Sequence, residues 1–433
     1  MHSKGIAIAL GAMLIPVLSA GASNATQMCV YGLGRVAPCK NQPAPTPPPG
    51  SCQGSSSLTV LVTGTNVVAY VPKGSWSSGG SGVSVANVEG TSVTNTLVPT
   101  PNIVNSCAAD PITGKTVCTA NNTDVYVLTG TTLSNTLTSG GSGTISFSGG
   151  SCTDCGVAMD ATHNKATIGL AIGGAAGFQI LDLATLTFEP AFKSAAGVIS
   201  EDPLVDPSRN FILSASENNN FEIVNIANPL APTFFEKLFS NPGYGDADST
   251  GEDCTTGIAL APGEFSSPSQ VFLADLTQAT FTPGTPKGTW IAPSQVQTLS
   301  ESFLSAGASA VAVAQGTHIG IVAGEFGGNA ITAVALPATS GAGTPQITDW
   351  VTCNIASFSN GFDPHTTTAY QSPNGAKDAI AVLANWVSGT AGGLAVVDLT
   401  KMLNKTLVPR TAAGHGCASG TLPGTVATLL PIP

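Results

Sequence analysis

The chain has 433 residues, and Lys, Arg, Asp and Glu together make up 9% of them, against roughly 25% in ordinary globular proteins. Long charged helices are therefore not expected, and the abundant small and β-branched residues, broken by Gly, Pro and Asn, favour short strands joined by turns. The formal net charge of −11 argues against nucleic acid or an anionic membrane as a partner, since both need a basic face, and favours cations or cationic ligands.

The N-terminus is typical of a signal peptide covering residues 1–22. Lys4 precedes an apolar stretch from Ile6 to Leu18, and Ala20-Gly21-Ala22 provides a cleavage site. The apolar stretch is short for a bilayer span of about 20 residues. The sequence therefore predicts an exported protein, either secreted, periplasmic or at the cell surface, with no transmembrane segment after cleavage.

Residues 23–57 are interpreted as a disulfide-bearing, Pro-rich arm, in which Cys29 and Cys39 flank a short loop. Ten Cys in an exported chain predict disulfides rather than free thiols. A D-P-x-x-G turn between Cys107 and Cys118 predicts a hairpin that brings them together. Cys152 and Cys155 form C-x-x-C; we expect each to pair locally or with a distant Cys, rather than to bind zinc or carry out redox chemistry.

From residue 58 to residue 433 a short pattern recurs: apolar residues, usually followed by Asp or Asn and then an aliphatic residue. Successive copies lie 42 to 63 residues apart and begin at Val83, Val125, Phe178, Phe221, Val271, Ile331 and Leu394. Several are preceded by a tight turn between two apolar runs, as in "ADPITGKTVCTA" and "VDPSRNFILSA". Each unit therefore predicts strand, turn, strand, loop, strand and a weaker fourth strand, for example "TLTFEPAF" or "APTFFEKLF".

Units of this length with four short strands are typical of β-propeller blades. The predicted fold is all-β, a propeller of seven blades of four antiparallel strands, with six or eight blades as alternatives. The ring could be closed in two ways. Either "TVATLL" in the C-terminal tail adds a strand to the first blade, or Leu58 to Val62 pairs with the last blade.

The segments "DPITGKTVCTANNTDVYVLTG" and "DPSRNFILSASENNNFEIVNI" resemble the YVTN-type and lactonase-like seven-bladed propellers of exported microbial proteins. The resemblance covers roughly residues 58–408, although the YVTN tetrapeptide itself is absent. It implies a propeller fold and an extracellular setting. The family includes scaffolds, binding proteins and some enzymes, so the resemblance implies no particular reaction.

The most acidic local stretch is "YGDADSTGED", residues 244–253. Asp246, Asp248 and Thr250 match the start of a calcium loop, in which alternate oxygens converge on one cation. The remainder departs from that pattern, because Gly257 stands where an EF-hand has Glu. The alternative is a solvated turn held by a disulfide through Cys254.

Acidic residues also lead into other units, where the chain approaches the first strand of a blade and so the mouth of the channel. We hypothesise an acidic mouth that binds a cation or a cationic ligand, the alternative being hydrophilic turns. Its candidate residues are Asp154, Glu201, Asp202, Glu252, Asp253, Glu301, Asp363 and His365.

The sequence contains no G-x-S-x-G, H-E-x-x-H, Walker or dinucleotide motif in a suitable context, and we assign no catalytic residue. His365 and His415 could form a general-base or metal pair with Asp363, whereas His163 and His318 are interpreted as structural. Four tryptophans are expected to pack between blades rather than to bind a sugar or peptide: Trp76, Trp290, Trp350 and Trp386.

The function expected from the sequence is that of an exported, non-enzymatic binding or interaction scaffold, with Ca²⁺ as the one cofactor suggested. Its partner would be a small ligand, a protein or a glycan. The first alternative is a lactonase-like or other hydrolytic enzyme that uses carboxylates and His at the channel mouth. The second is a cell-surface structural or adhesion module, which the Pro-rich arm would suit.

Overall fold

The structure is a computed structural model. It describes residues 28–31, 35–38, 58–72, 81–89, 95–147, 150–194, 202–216, 220–238, 249–263, 270–279, 287–288, 293–299, 308–324, 330–341, 343–355, 367–374, 378–385, 393–412, 414–422 and 430–431. The chain divides into two compact units, residues 1–46 and 47–433. The boundary falls within the Pro-rich segment. The predicted signal peptide lies outside the described residues.

The first unit contains an antiparallel hairpin of β1 (Met28–Tyr31) and β2 (Arg35–Pro38). Cys29 lies in β1, and Cys39 lies just beyond the described residues. Most residues of the predicted loop between these two cysteines therefore lie in the two strands of this hairpin.

The second unit is built from successive antiparallel ladders, which we number 1 to 7 in chain order. Ladders 1 and 2 share one long strand, because residues up to Ile103 of β6 pair with β5 and residues from Val104 onward pair with β7. Ladder 1 contains β3 (Thr59–Thr63), β4 (Asn66–Pro72), β5 (Ser81–Glu89) and β6 (Asn95–Ala109). Ladder 2 continues with β7 (Lys115–Ala120), β8 (Asp124–Thr129) and β9 (Thr132–Thr138).

A small hairpin of β10 (Ile145–Phe147) and β11 (Gly150–Cys152) precedes ladder 3. Ladder 3 contains β12 (Asp154–Asp160), β13 (Lys165–Ile172) and β14 (Ala175–Asp182), with β15 (Thr187–Phe188) and β16 (Phe192–Lys193) both paired to β14. Ladder 4 contains β17 (Leu204–Asp206), β18 (Phe211–Ser216), β19 (Asn220–Asn225) and β20 (Thr233–Leu238). Ladder 5 begins with β21 (Gly251–Asp253), β22 (Ile258–Gly263) and β23 (Gln270–Asp275).

After β23 comes a 3-10 turn, Leu276–Gln278, and then β24 (Lys287–Gly288), which pairs with β20 in parallel. Ladder 5 is completed by β25 (Ser294–Thr298). Ladder 6 contains β26 (Ala308–Ala314), β27 (Ile319–Gly324), β28 (Ala330–Ala335) and β29 (Asp349–Ile355). Ladder 7 contains β30 (Thr367–Gln371), β31 (Ala379–Asn385) and β32 (Gly393–Asp398), followed by the short helix α1 (Leu399–Leu403).

The tail departs from both predicted modes of closure. Its strand β33 (Gly416–Leu422) pairs in parallel with β29 of ladder 6, and β34 (Leu430–Pro431) pairs with β32 as the fourth strand of ladder 7. The tail therefore completes the last ladder and not the first, and β3 starts ladder 1. The reason is local: Asp398 caps α1 by accepting a hydrogen bond from the Lys401 amide, so the chain turns into a helix where a fourth strand would otherwise begin.

The recurring sequence pattern is confirmed as a strand position. The copies at Val83, Val125, Phe178, Phe221, Val271, Ile331 and Leu394 all lie in the third strand of a ladder: β5, β8, β14, β19, β23, β28 and β32. The predicted fourth strands are confirmed in β15, β16 and β20. The local pattern therefore specified both the strand and its place in the unit.

Consecutive ladders bury their faces against each other. Each main cluster of buried apolar residues contains members of two ladders that are neighbours in sequence, and one cluster joins ladder 7 to ladder 1. Examples are Tyr70 with Tyr126, Val117 with Val157, Phe178 with Val205, Phe221 with Phe272, Leu260 with Val311, Ile321 with Leu383, and Val382 with Val67. The packing order is therefore cyclic.

In ladders 2 to 5 an Asp ends the first strand and organises the turn to the second. Its side chain accepts hydrogen bonds from amides two or three residues later, as at Asp110 and Asp206. The residue four positions after each Asp has a positive φ, which Gly and Asn accept most readily: Gly114, Asn164, Asn210 and Gly257. These turns and their Asp residues lie at the end of the first strand, opposite the start where the acidic mouth was predicted.

Candidate functional site

Polar side chains converge where the first strands of ladders 2 to 5 begin. We call this set the start cluster: Asn105, Ser106, Asp154, Asp202, Ser249 and Thr250. All six residues are buried, with at most 5% of their surface exposed. Two adjacent residues of β6 contact two of the acids: the Asn105 amide donates to the Asp154 backbone oxygen at 3.0 Å, and the Ser106 hydroxyl donates to Asp202 Oδ1 at 3.4 Å.

The Ser106–Asp202 contact joins ladders that are not neighbours in the packing order. Ser106 belongs to ladder 2, and Asp202 immediately precedes ladder 4. On the far side of Asp202, the Thr250 hydroxyl donates to its backbone oxygen at 3.3 Å, and Asp202 forms a parallel bridge with Ser249. These contacts therefore link the starts of the first strands of ladders 2 to 5.

Asp154 is the most unusual member of the start cluster. It is fully buried, and neither carboxylate oxygen has a hydrogen-bond partner among the described residues. Burial raises the pKa of Asp154 to about 7; the nearby Ser139 hydroxyl opposes this rise without forming a well-directed hydrogen bond, and the charge of Asp124 adds to it. Burial therefore favours the neutral, protonated form of this carboxyl group.

Glu252 and Asp253 do not belong to the start cluster, because they lie within β21 and not ahead of it, as the sequence analysis had placed them. The first strand of ladder 5 is only three residues long, Gly251–Asp253, so both acids stand at its end rather than before it. Asp253 is the turn-forming Asp of ladder 5, with Gly257 four positions later. The spacing matches Asp110 and Gly114, a signal that was present in the sequence.

At this opposite end the acids are paired. Arg209 Nη1 lies 2.6 Å from Asp206 Oδ2 and 3.3 Å from Glu252 Oε1, which links ladders 4 and 5. Burial raises the pKa of Glu252 well above its usual range, the charge of Asp206 adds to the rise, and Arg209 opposes it. Asp253 accepts hydrogen bonds from Thr255 and lies 2.5 Å from His318 Nδ1.

Several predicted residues lie outside the described part of the chain: Glu201, Glu301, Asp363 and His365 of the acidic mouth, and Asp246 and Asp248 of the calcium loop. Thr250 of that loop is described, and its hydroxyl is bonded to the Asp202 backbone oxygen. Among the described residues no three His, Cys, Asp or Glu side chains are grouped so as to hold a metal ion.

The described histidines have structural partners. His163 Nδ1 lies 2.7 Å from Asp160 in a turn. His415 stacks on Trp350, with ring centroids 3.8 Å apart, and lies 3.9 Å from Asp349, which is itself held by Arg410. These contacts hold β33 against β29, the fourth strand of ladder 6. Trp76, Trp290 and Trp386 fall outside the described residues.

The disulfides extend the predicted set. Cys107 and Cys118 are bonded across β6 and β7, and Cys152 is bonded to Cys155. Cys353 and Cys417 join ladder 6 to the tail, a pair that the sequence did not indicate. Cys254 is also disulfide-bonded, as expected for the turn that follows the acidic stretch. Disulfides of this kind form in oxidising compartments.

Among the helical segments that the structure describes, none combines the length and the apolar character required to cross a bilayer. No protein-family model and no curated protein matches the chain. A solved structure described as "Structure of U3-55K" is similar over 76% of this chain and 92% of that chain, with 10% sequence identity and a TM-score of 0.48. At that score we base no argument on the likeness.

Proposed function

We propose that this chain is an exported seven-bladed β-propeller that acts as a binding scaffold and takes a small cationic ligand where the first strands begin. The fold part of the proposal is supported by the cyclic packing order, in which ladder 7 shares a core with ladder 1. A four-stranded sheet cannot bury both faces by itself, and radial packing gives each face a neighbour. The YVTN-type resemblance of the repeat units points the same way.

The proposed exported location is supported by the signal-peptide pattern and by the disulfides. An N-terminal sequence that begins at Ser23, read from the mature protein in periplasm, medium or on the cell surface, would agree with cleavage after Ala22. Recovery of the uncleaved chain from the cytoplasm would contradict it.

The ligand part is carried by one observation: the buried, unpartnered carboxylate of Asp154 within a polar cluster that also contains Asp202. Burying a charged carboxylate without a partner is costly, so the group must be neutralised by a proton or a cation. With a net charge of −11, the protein attracts cations rather than anions. A cation is therefore the ligand class that this end favours.

The hydrolytic alternative has less support in the described residues. It needs a His that shares a pocket with two carboxylates, whereas His415 lies at an outer strand beside Asp349, whose charge is already paired with Arg410. His318 contacts Asp253, but the Thr255 hydroxyl donates to the same Asp and not to the His. Neither arrangement has the order nucleophile, base, acid that hydrolysis uses.

Thermal unfolding with added ligands tests the proposed function. We expect putrescine and choline, as organic cations, to raise the melting temperature of the wild type, and neutral glucose to leave it unchanged. Asp154→Asn should abolish the effect of the cations, while Asp378→Asn, the same change in ladder 7, should retain it. No response to either cation, or a full response in Asp154→Asn, would overturn the proposal.

A further inference from the structure

The outer edges of the ladders differ in whether they can accept a further strand. A strand at the edge of a sheet presents unpaired N–H and C=O groups, and natural proteins block such edges to prevent pairing with other chains. Two of the outer strands are covered by the chain itself. β24 pairs in parallel with β20 of ladder 4, and β33 pairs in parallel with β29 of ladder 6. The outer edges of these two ladders are therefore occupied.

Four more ladders block their outer edges in other ways. The outer part of β6 in ladder 1 contains Pro99 and Pro101, which have no N–H group to donate. The outer strand β9 of ladder 2 shifts register against β8 between Val127 and Leu128, an irregularity of the kind that disturbs edge pairing. Ladders 3 and 7 end in β15, β16 and β34, which have two residues each. In the part of the chain that the structure describes, the outer edges of all ladders except ladder 5 are therefore blocked.

The outer strand of ladder 5, β25, has none of these features. All five of its residues, Ser294–Thr298, pair with β23 without a shift in register, and it contains neither Pro nor a charged residue. No described strand pairs with its other side. The Gln297 side chain fixes the strand against the Ile347 backbone, donating to the oxygen at 3.2 Å and accepting from the amide at 2.7 Å. β25 therefore presents a regular edge that is already held in place.

The sequence of β25 is suited to pairing with itself. It reads Ser-Gln-Val-Gln-Thr, nearly the same in both directions about Val296. A two-fold axis through Val296 sets two antiparallel copies with Val296 opposite Val296, Gln295 opposite Gln297 and Ser294 opposite Thr298. Each pair matches in chemistry, and no charges meet although each chain carries a net charge of −11. Val296 is 37% exposed, so the pairing also buries apolar surface.

We propose that β25 pairs with β25 of a second copy of this chain, so that the two copies of ladder 5 form one continuous antiparallel sheet. Main-chain hydrogen bonds between the two edges supply the affinity, and the matched side chains set the register. The self-matching sequence favours a second copy over an unrelated strand. Because five residues form a small contact compared with a standard interface of about 1,600 Å², the dimer should dissociate on dilution. The proposal is independent of the ligand at the start cluster.

Sedimentation equilibrium of the full-length protein over a range of concentrations tests the pairing. We expect the wild type to dimerise as its concentration rises. Val296→Lys places two positive charges opposite each other at the two-fold axis and should weaken dimerisation about tenfold or more. Asn135→Lys, the same charge at an exposed position of the irregular strand β9, should dimerise as the wild type does. A wild type that stays monomeric, or a Val296→Lys variant that dimerises equally well, would overturn the proposal.

Cross-linking gives a second readout that identifies the contact itself. In an antiparallel pair, directly opposite residues have Cα atoms about 4.5 to 5.5 Å apart, a distance that a disulfide spans. Val296→Cys should therefore form a covalent dimer under a mild oxidant, whereas Asn135→Cys should not. Hydrogen exchange of the amides of residues 294–298 should slow as the wild-type concentration rises. Slow exchange in a monomer, with no cross-link, would show that another segment of the same chain covers β25 and would overturn the proposal.

Discussion

Buried Asp side chains have hydrogen-bond and charge partners at one end of the first strands and lack them at the other. At the turn end, Asp110, Asp206 and Asp253 accept backbone hydrogen bonds, and Arg209 or His318 pairs with two of them. At the start end, Asp154 is equally buried but has no such partner. Buried acids with partners organise turns and join ladders, whereas one without a partner lowers stability unless a ligand supplies what it lacks.

The largest expected effect is the pH dependence that Asp154 imposes in the presence of a chelator. Its pKa rises on folding from 3.8 to about 7, so the folded state holds this proton to higher pH than the unfolded state does. The free energy of unfolding should therefore fall as pH rises from about 4 to about 7, by up to about 4 kcal/mol.

Urea unfolding at about pH 4 and about pH 8 measures this difference. The variant Asp154→Asn should lose this contribution and become more stable than the wild type at the higher pH. If the free energy of unfolding of the wild type and of Asp154→Asn changes equally with pH, Asp154 is not destabilised by burial without a partner. The contrast with the paired acids at the turn end is then wrong.

The next effect concerns the charged group between ladders 4 and 5. Arg209→Met leaves Asp206 buried without its counter-charge, and we expect a loss of about 3 kcal/mol. The matched change Glu252→Gln should cost far less, because burial already favours the protonated form of Glu252. Equal losses in the two variants, measured by urea unfolding at neutral pH, would show that Glu252 is ionised.

A smaller effect is expected at the turn of ladder 5. Asp253→Asn removes the negative charge beside His318 and weakens the bonds from Thr255, at a cost of about 2 kcal/mol. Thermal unfolding at neutral pH measures it. If this variant is as stable as the wild type, the partners of Asp253 do not stabilise the fold. Asp253 would then not differ from Asp154 in its contribution to stability.

The smallest effect tests the contact between ladders 7 and 1. Glu89 accepts hydrogen bonds from Tyr370 at 2.7 Å, Ser372 at 3.1 Å and Asn374 at 2.7 Å. Glu89→Gln keeps the shape but replaces one acceptor oxygen by a donor, so we expect a loss of about 1 kcal/mol. An unchanged urea midpoint would indicate that this polar contact adds nothing to the apolar core shared by these ladders.

The positions of the acidic residues show where sequence reasoning succeeds and where it fails. Asp154 begins the first strand of ladder 3 and Asp202 precedes that of ladder 4, positions that the apolar runs following them indicate, while their role at a channel mouth stays a prediction. Glu252 and Asp253 were misplaced because β21 has only three residues, too short to be recognised by alternation. The spacing of four positions from Asp253 to Gly257 matches the other turns and would have corrected the prediction.

By itself the sequence determined the all-β class, the third-strand pattern, the turns and the Cys107–Cys118 hairpin, because these depend on residues close together in the chain. Only the tertiary structure decided which ladders pack together, that the tail completes ladder 7, and that Ser106 reaches Asp202 across 96 positions. It also decided that Asp154 has no partner while Asp253 has several. Those properties depend on groups far apart in sequence, and local patterns carry no record of them.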